Sequence, residues 1–320
     1  MRAIQVTSTG GPEVLQPVDR EPGPLADGQV RVEVAAAGVN FIDIYERTGL
    51  YPRQLPYVPG SEGAGRVVEV AADVTGLRVG DRVAWQGVPG SYASEVVAPA
   101  WQLLLVPTEI KDQHAAALPL QGLTAHYLAT SSYPIQPGDT VVVHAGAGGV
   151  GLLLTQIAKL RGARVITTVS TPEKAELSRA AGADLVVGYD ELAEAIRRDT
   201  GGVGVAAAYD GVGQDTFDTS LQSLAPRGAL VLYGQSSGKV GPLDLDKLRL
   251  GGSLSVSRPT LKDFVASRDE LRRRAGELFD WVTTGRVAVR VGGVYPLADA
   301  GTAHADLAGR RTTGKLLLSP

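Results

Sequence analysis

Three glycines occur at the spacing G-x-G-x-x-G, which suits the binding of a phosphate group. They are Gly146, Gly148 and Gly151, and they follow the apolar run VVVHA. Gly146 allows a sharp turn, Gly148 removes a side chain from the path of a pyrophosphate, and Gly151 lets a helix lie close to a strand. Because the motif stands between a predicted strand and a predicted helix, whose N-terminal N–H groups attract anions, it indicates a dinucleotide site. The alternative is a tight strand–helix turn without a ligand.

The end of the next predicted strand, residues 163–169, indicates which dinucleotide binds. An NAD site usually has Asp or Glu at this position, where the carboxylate accepts a hydrogen bond from the ribose 2′-OH. Here the strand runs into TTVSTPEK, which places Ser170 there and Lys174 one turn into the following helix. Both side chains can donate to a 2′-phosphate, so the sequence predicts NADPH rather than NADH. The alternative for Lys174 is a solvated helix residue that pairs with its neighbours.

Apolar strands alternate with helices between residues 140 and 257, and about six strands fit in this segment. Strands are predicted at TVVVHA (140–145), ARVITTV (163–169), DLVVGY (184–189), VGVAAAYDGVG (203–213) and GALVLYGQ (228–235). Thr171 is predicted as an N-cap and Pro172 as the first helical residue of the helix after the second strand. Continuous apolar strands alternating with helices are typical of a parallel sheet covered on both faces. The segment is therefore predicted to be a doubly wound α/β sheet.

The remaining segments predict a second, β-rich domain. Residues 1–118 contain short strands between Gly and Pro breaks, for example QVRVEVAAAGVN (29–40) and GAGRVVEVA (63–71). Residues 265–320 contain one predicted amphipathic helix and two short strands, and we expect them to pack on the first segment. The predicted domains are thus residues 1–120 with 265–320, and residues 121–264.

Composition excludes several functional classes. The 320 residues include 31 Lys and Arg against 34 Asp and Glu, so the net charge of −3 provides no general attraction for nucleic acid or for anionic membranes. The basic run RDELRRR (268–274) has acidic neighbours and is read as a solvated helix face, so nucleic acid is not an expected partner. Cysteine is absent, which rules out disulfides, thiolate nucleophiles and cysteine-bound zinc. No signal peptide or membrane span is recognisable, and a cytoplasmic location is predicted.

Several stretches together resemble a known superfamily. VNFIDIYERTGLYP (39–52), PGSEGAGRVVEV, GDRVA, AGAGGVG, YGQSSG (233–238), SRPTL (257–261) and the closing GKLLL resemble the medium-chain dehydrogenases/reductases, and within them the zinc-free quinone oxidoreductases that include ζ-crystallin. The resemblance runs nearly end to end. It implies a GroES-like β-barrel domain plus a Rossmann domain, with the cofactor in the cleft between them. It also implies a homodimer or tetramer, and we predict a homodimer.

The positions of zinc ligands in this superfamily indicate that no metal is used. Zinc alcohol dehydrogenases carry a Cys in the segment matching NFID and a His in a G-H-E stretch, whereas this chain has Asn40-Phe41 and Gly60-Ser61-Glu62. The four histidines are far apart in sequence and form no ligand motif, and a catalytic zinc needs about three protein ligands. Without a Lewis acid, oxidation of an alcohol is disfavoured, and reduction of an acceptor that is already electrophilic is favoured.

The resemblance places Asn40, Tyr45 and Tyr51 beside the nicotinamide as catalytic residues. Asn40 would orient the carboxamide or the substrate carbonyl, and the tyrosines would present a hydroxyl donor and a flat apolar face to a quinone. The alternative is that FIDIY is partly a helix whose Phe41 and Ile44 pack inward, with Tyr51 in a surface loop. Asp43 would either orient Tyr45 or cap this helix.

On the cofactor side, the turn residues Gly148, Gly149 and Val150 are expected to line the pyrophosphate. The resemblance implies that Tyr189 joins Ser170 and Lys174 at the 2′-phosphate, and that Thr124 faces the nicotinamide region. Further cofactor contacts are expected at the carboxyl ends of the fourth and fifth strands, namely at Val212, Gly234, Gln235 and Ser236. Arg310 matches a family arginine near the nicotinamide phosphate, with the adjacent Arg311 as the alternative register.

The predicted chemistry is hydride or single-electron transfer from NADPH to a quinone, without zinc. The chain would orient the reactants, exclude water and stabilise the developing oxyanion. An NADPH-dependent alkenal or enone reductase is the first alternative, because it would use the same cofactor and fold. A protein that binds NADPH with little turnover is the second.

Overall fold

The computed structural model describes all 320 residues, which form fifteen β-strands, eleven α-helices and short helical turns. The strands are β1 (Arg2–Gln5), β2 (Gln16–Asp19), β3 (Gln29–Val39), β4 (Glu62–Val70), β5 (Arg82–Gln86), β6 (Glu95–Pro99), β7 (Leu104–Leu105), β8 (Thr140–Val143), β9 (Arg164–Thr168), β10 (Leu185–Val187), β11 (Val205–Asp210), β12 (Leu224–Leu232), β13 (Ser255–Ser257), β14 (Val291–Pro296) and β15 (Lys315–Ser319). The helices are α1 (Phe41–Arg47), α2 (Asp112–Ala117), α3 (Pro119–Tyr127), α4 (Gly149–Leu160), α5 (Pro172–Ala180), α6 (Leu192–Asp199), α7 (Phe217–Gln222), α8 (Leu245–Leu250), α9 (Leu261–Phe264), α10 (Arg268–Thr283) and α11 (Ala300–Ala308). None of these helices combines the length and the hydropathy that crossing a bilayer requires.

One of two compact units contains a six-stranded parallel sheet. This unit, called unit 2 below, comprises Thr124–Phe264 and Arg286–Ala288. Its strand order is β10-β9-β8-β11-β12-β13, with every pair parallel. Numbered from β8, this is the order 3-2-1-4-5-6 of a doubly wound sheet, which reverses direction between β8 and β11. The predicted six-stranded Rossmann sheet is therefore confirmed.

Local sequence explains why the elements of unit 2 form. Strand β8 ends in three valines that are fully buried, and β-branched side chains favour extended backbone. Helix α5 begins at Pro172, and the hydroxyl of its N-cap Thr171 accepts a hydrogen bond from the backbone N–H of Lys174. Both cap positions agree with the sequence prediction. The apolar face of helix α6, with Leu192 and Ile196, packs in the same core as Val142 of β8.

The other compact unit, called unit 1, carries a mixed seven-stranded sheet. It comprises Met1–Leu123, Val265–Gly285 and Val289–Pro320. The order is β14-β15-β3-β4-β5-β7, with β6 also paired to β3, and β1 and β2 form a separate antiparallel pair. Only β14 and β15 run parallel in this sheet. Its core includes the fully buried rings of Trp85 and Tyr92.

The C-terminal segment differs in one respect from the prediction of a single helix and two strands. It has two strands, β14 and β15, but it also has a second helix, α11. The missed helix has the sequence AGTAHADLA, in which only alanines and one histidine are buried. Because so few large apolar residues mark its inner face, the periodicity of this helix is weak in the sequence.

Candidate active site

The glycine turn joins strand β8 to helix α4 in unit 2. Ala145 adopts a positive φ of 52°, and the N–H of Gly148 donates to its carbonyl at 2.8 Å. Gly148 is the N-cap of helix α4, without a side chain to cap it. The first N–H groups of this helix therefore have no side-chain cap and are available to an anion, as the N-terminus of a helix provides.

The three glycines of the turn are required for different reasons. A Cβ atom on Gly151 would collide with the carbonyl of Ala145, and one on Gly146 would lie 2.7 Å from the Thr167 and Ser178 side chains. In contrast, the only heavy atom near a Cβ on Gly148 would be the carbonyl oxygen of Ala145, at 3.2 Å. Packing thus demands glycine at 146 and 151, whereas at 148 a Cβ would meet a single tight contact and no other neighbour. The absence of a side chain at Gly148 is what the close approach of a pyrophosphate needs, so the turn fits a dinucleotide.

Two of the three residues predicted for the 2′-phosphate, Ser170 and Lys174, lie together after strand β9. The Nζ atom of Lys174 lies 3.2 Å from the Oγ atom of Ser170. No carboxylate ends the strand, and Glu173 is drawn back toward the helix N-terminus, where hydrogen bonds from its own N–H and from Thr171 lower its pKa. The ring of Tyr189 stacks on the buried imidazole of His144, with centroids 6.0 Å apart. Two donors are thus presented where an NAD site would have an acceptor.

The carboxyl ends of strands β11 and β12 also meet, and a buried carboxylate organises them. Asp210 accepts hydrogen bonds from the N–H groups of Val212 and Gly213, and from the hydroxyls of Thr216 and Ser220. The segment with Gly234, Gln235 and Ser236 lies alongside, because Ser236 N donates to Gly211 O at 3.3 Å. A Cβ on Gly234 would collide with the backbone of Gly211. The four predicted cofactor contacts at this edge are therefore neighbours.

Two further predicted cofactor residues belong to other elements of the chain. Thr124 lies on helix α3 and is 7% exposed. Arg310 is exposed just after helix α11, with a φ of 55°. The adjacent Arg311 forms an ion pair with Asp306 at 2.9 Å. The choice between Arg310 and Arg311 therefore stays a prediction.

Three aromatic side chains form a half-exposed cluster on and after helix α1 in unit 1. The rings of Tyr45 and Tyr51 lie 5.3 Å apart in an edge-to-face arrangement, and Phe41 lies 6.1 Å from Tyr45. The backbone N–H of Tyr51 donates to Tyr45 O at 3.0 Å, which holds the loop against the helix. FIDIY is indeed helical and Ile44 packs inward, but Phe41 and both tyrosines keep exposed surface. The cluster can therefore offer both aromatic faces and hydroxyl groups.

Buried polar residues beneath helix α1 fix its start. Asp43 Oδ2 accepts a hydrogen bond from the backbone N–H of Asn40 and another from the hydroxyl of Tyr92, both at 2.9 Å. Asp43 therefore caps the helix and binds Tyr92, which decides the alternative left open by the sequence. His304 Nε2 lies 2.9 Å from the same hydroxyl. Burial raises the pKa of Asp43 to about 7 and lowers the pKa of His304 to about 3, so this histidine is neutral.

Asn40 joins a buried ion pair instead of a metal site. The ammonium of Lys315 pairs with Glu62 and donates to Asn40 Oδ1 at 2.6 Å, and Asn40 Nδ2 donates to Glu62 Oε2 at 3.0 Å. The Lys315 ammonium thus engages the side-chain oxygen atoms of Asn40 and Glu62 that could otherwise bind a metal cation. In the whole chain, no group of three or more His, Cys, Asp or Glu side chains is arranged to hold a metal. The residues present do not fit a catalytic zinc, which needs about three such ligands.

Sequence reasoning missed Asp210, Glu62 and Lys315 as organisers of the site. Each is buried, and each forms hydrogen bonds to a predicted site residue or its backbone. A signal was present for Asp210, which ends an apolar strand just before the glycine-rich turn at 211–213. For Glu62 and Lys315 the contact depends on the register of three strands.

Comparisons with known proteins agree with this fold over the whole chain. Residues 26–108 match the alcohol dehydrogenase GroES-like domain, and residues 149–271 match the family described as zinc-binding dehydrogenase. The chain superposes on the mycobacterial protein Rv1454c, solved in complex with NADPH, with a TM-score of 0.97 and 50% identity, covering 100% of both chains. The predicted combination of GroES-like and Rossmann domains is confirmed.

Curated relatives identify the family more narrowly. The chain is 43% identical over 323 residues to a quinone oxidoreductase of Pseudomonas aeruginosa, covering 100% of this chain and 99% of the relative. It is 39% identical over 329 residues to a 2-haloacrylate reductase of a Burkholderia species, covering 99% and 98%. These matches confirm the resemblance noted in the sequence: the chain belongs to the quinone oxidoreductases of the medium-chain dehydrogenase/reductase superfamily, a family of oxidoreductase enzymes.

Proposed function

We propose that the protein is an NADPH-dependent quinone reductase that works without a catalytic zinc. The observation that carries this proposal is the Lys315 ammonium, which bonds both Asn40 and Glu62. With those oxygens engaged and no third ligand arranged beside them, the chain itself offers no Lewis acid to lower the pKa of an alcohol. An acceptor that is already electrophilic, such as a quinone, needs no such activation.

NADPH, when bound, supplies the hydride from C4 of its nicotinamide. Ser170, Lys174 and Tyr189 are the residues that would hold its 2′-phosphate, because the side chains of the first two lie together and can both donate, and no carboxylate stands at the end of strand β9. The pyrophosphate contacts would come from the glycine turn, at Gly146, Gly148, Gly149, Val150 and Gly151. Their role is to bind and orient, through N–H groups at the start of helix α4.

The remaining cofactor contacts are proposed on the ribose and nicotinamide side. The proximity of the turns after β11 and β12 supports a shared role for Val212, Gly234, Gln235 and Ser236. Thr124 and Arg310 are also proposed to contact the cofactor, on the basis of the family resemblance.

Asn40, Tyr45 and Tyr51 are proposed to contact the reacting groups. The edge-to-face pair of tyrosines supports a flat acceptor, because aromatic rings pack favourably on one another. Their hydroxyls can donate to the oxygen on which negative charge develops during reduction. Asn40 would orient the nicotinamide carboxamide or the acceptor carbonyl.

The proposal is tested by following NADPH oxidation with a panel of small quinones and conjugated ketones, with NADH in parallel. The protein is first dialysed against a chelator, and a second sample is then given Zn²⁺. Quinone turnover with NADPH that neither treatment alters is the expected result. Turnover that depends on added Zn²⁺, or that prefers primary alcohols and NADP⁺, would overturn the proposal.

A second candidate function is the NADPH-dependent reduction of conjugated enones or related electrophiles. The specific observation in its favour is the 39% identity to a 2-haloacrylate reductase, whose substrate carries a conjugated double bond. Turnover confined to the conjugated ketones of the same panel would establish it. Tight NADPH binding without turnover on any acceptor would instead favour the third candidate, an NADPH-binding protein with little activity.

A homodimeric assembly and a cytoplasmic location stay predictions from the sequence. Size measurement by light scattering checks the first, and fractionation of cells checks the second.

A further inference from the structure

Three adjacent strands of unit 1 bring a lysine, a glycine and a glutamate into one row. Strand β15 pairs with β3 so that Leu317 is opposite Gly38, and β3 pairs with β4 so that Ala37 is opposite Gly63. Glu62 therefore flanks Gly38 on one side, and on the other side Lys315 precedes Leu317 by two residues and shares its face. Because Gly38 has no side chain, the lysine can reach across it to the glutamate.

The glycine is needed for this arrangement. A Cβ atom on Gly38 would collide with the Glu62 carboxylate and lie 2.7 Å from Lys315 Cε. Glycine inside a strand is unfavourable relative to alanine, so the chain accepts a cost at this position. The space gained is filled by the ion pair.

The pair is closed off from solvent and has defined partners. Glu62 is 0% exposed and Lys315 is 3% exposed, whereas Asn40 retains 8%. The second carboxylate oxygen of Glu62 accepts from the N–H of Leu120, in the first turn of helix α3, at 2.6 Å. A carboxylate at a helix N-terminus is favourably placed. Glu62 is thus held by Lys315 of strand β15, by Asn40 at the start of helix α1 and by Leu120 of helix α3.

These partners decide which way the Asn40 amide faces. An ammonium can only donate a hydrogen bond and a carboxylate can only accept one. Oδ1 must therefore face Lys315, and Nδ2 must face Glu62. The other hydrogen of Nδ2 is directed to Gly38 O, at 3.3 Å. Both amide hydrogens are engaged within the protein, and the capacity left for a ligand is a lone pair on Oδ1.

We propose that Glu62 and Lys315 are positioning residues that hold Asn40 as a hydrogen-bond acceptor for the NH₂ group of the nicotinamide carboxamide. The inference rests on the proposed function, in which Asn40 contacts the nicotinamide. Stability alone does not require the pair, because apolar residues of similar volume often replace a buried ion pair without loss of stability. Without these partners, the Asn40 amide could turn and present its NH₂ group in place of Oδ1. It would then no longer select a ligand group that donates a hydrogen bond.

The test compares the binding of NADP⁺ with that of its 3-acetylpyridine analogue, in which a methyl ketone replaces the carboxamide and no N–H donor remains. Calorimetry gives both Kd values. In the wild-type protein the analogue is expected to bind roughly three- to ten-fold more weakly, the size of one hydrogen bond. Asn40→Ala is expected to bring the ratio of the two Kd values close to unity. The double variant Glu62→Gln/Lys315→Met is expected to do the same, although Asn40 is intact.

A matched control is the ion pair between Glu270 and Arg274 of helix α10, also in unit 1, whose arginine side chain is 3% exposed. Glu270→Gln/Arg274→Met should leave the wild-type ratio unchanged. Thermal unfolding of every variant verifies folding, and Glu62→Gln alone replaces the double variant if that one fails to fold. A wild-type ratio in the Glu62 and Lys315 variants, with a ratio near unity in Asn40→Ala, would overturn the positioning role alone. A wild-type ratio in Asn40→Ala would overturn it together with the proposed site.

Discussion

The Nζ atom of Lys174 lies 3.2 Å from the Oγ atom of Ser170, at the end of the second strand of the parallel sheet. This pair takes the place of the carboxylate that binds the ribose 2′-OH in NAD sites. A cation and a hydroxyl at this point favour a phosphate, and the acidic side chain adjacent in sequence, Glu173, accepts hydrogen bonds from its own N–H and from Thr171 at the start of the helix.

Lys174→Ala is therefore expected to weaken NADPH binding much more than NADH binding. A hydrogen bond to a charged group contributes about 1.5–3 kcal/mol, so the Kd for NADPH should rise roughly ten- to one hundred-fold while that for NADH changes little. Fluorescence titration with both nucleotides measures the two values. The control is Lys262→Ala, which removes an exposed lysine of helix α9 in the same unit. An equal loss of affinity for both nucleotides would contradict the assignment of the 2′-phosphate.

Gly148→Ala and Gly151→Ala are expected to differ in their effects: the first should reduce NADPH binding and the second should reduce stability. Gly148 has a φ of −76°, which alanine adopts readily, and a Cβ there would have one close neighbour, the carbonyl oxygen of Ala145 at 3.2 Å. Its variant should keep a melting temperature close to wild type and lose most NADPH affinity. The Gly151 variant should lose stability, because the new methyl group would meet the carbonyl of Ala145. Thermal unfolding with and without NADPH separates the two; a Gly148→Ala protein with wild-type affinity would refute a pyrophosphate on this turn.

Asp210→Asn is expected to loosen the turn that carries Val212. One carboxylate accepts from two backbone N–H groups and two hydroxyls, and an amide cannot accept all four bonds. A loss of about 2–3 kcal/mol in the free energy of unfolding is expected, with weaker NADPH binding. Urea denaturation and nucleotide titration measure these changes. Asp218→Asn, which affects only an exposed pair with Lys247, is the control and should change neither.

Asp43→Asn and His304→Gln are expected to change the slope of the unfolding free energy against pH in opposite directions. Burial raises the pKa of Asp43 from 3.8 to about 7, so the folded state holds a proton that the unfolded state releases, and this contribution to stability is lost as pH rises from about 4 to 7. Burial lowers the pKa of His304 from 6.5 to about 3, so its contribution is lost as pH falls from about 6.5 to 3.

In the wild-type protein these two slopes oppose each other over the same pH range. Relative to wild type, Asp43→Asn should gain stability as pH rises, and His304→Gln should gain stability as pH falls, each by up to about 4 kcal/mol. Urea unfolding at several pH values from 4 to 8 provides the comparison. Parallel curves for both variants and the wild type would show that neither group titrates with a shifted pKa.

The parallel sheet could be predicted because each of its buried strands is a local apolar run with a helix behind it. Likewise, the glycine turn and the Thr171–Pro172 helix start are determined by residues a few positions apart. Helix α11 could not be predicted in this way, because its buried face consists of alanines and one histidine.

The same reason explains what sequence reasoning missed in the candidate site. Asn40 was recognised through the motif around it, but its partner Lys315 is 275 positions away. Only the register between β3 and β15 brings the two together. The pKa values of Asp43 and His304 likewise depend on burial by several elements, and no short stretch of sequence contains that information.

The pairing of β15 with β3 also has a consequence for the order of events during synthesis. Strand β3 ends at Val39 and emerges from the ribosome early, but its neighbour β15 begins only at Lys315. The sheet of unit 1 can be completed only then, whereas all of unit 2 lies between these strands in the chain and can fold first. A folded insertion shortens the effective loop that β3 and β15 must close. Nascent chains stalled before residue 315 should therefore resist protease in residues 124–264 while residues 1–123 are cleaved, and equal protection of both segments would contradict this order.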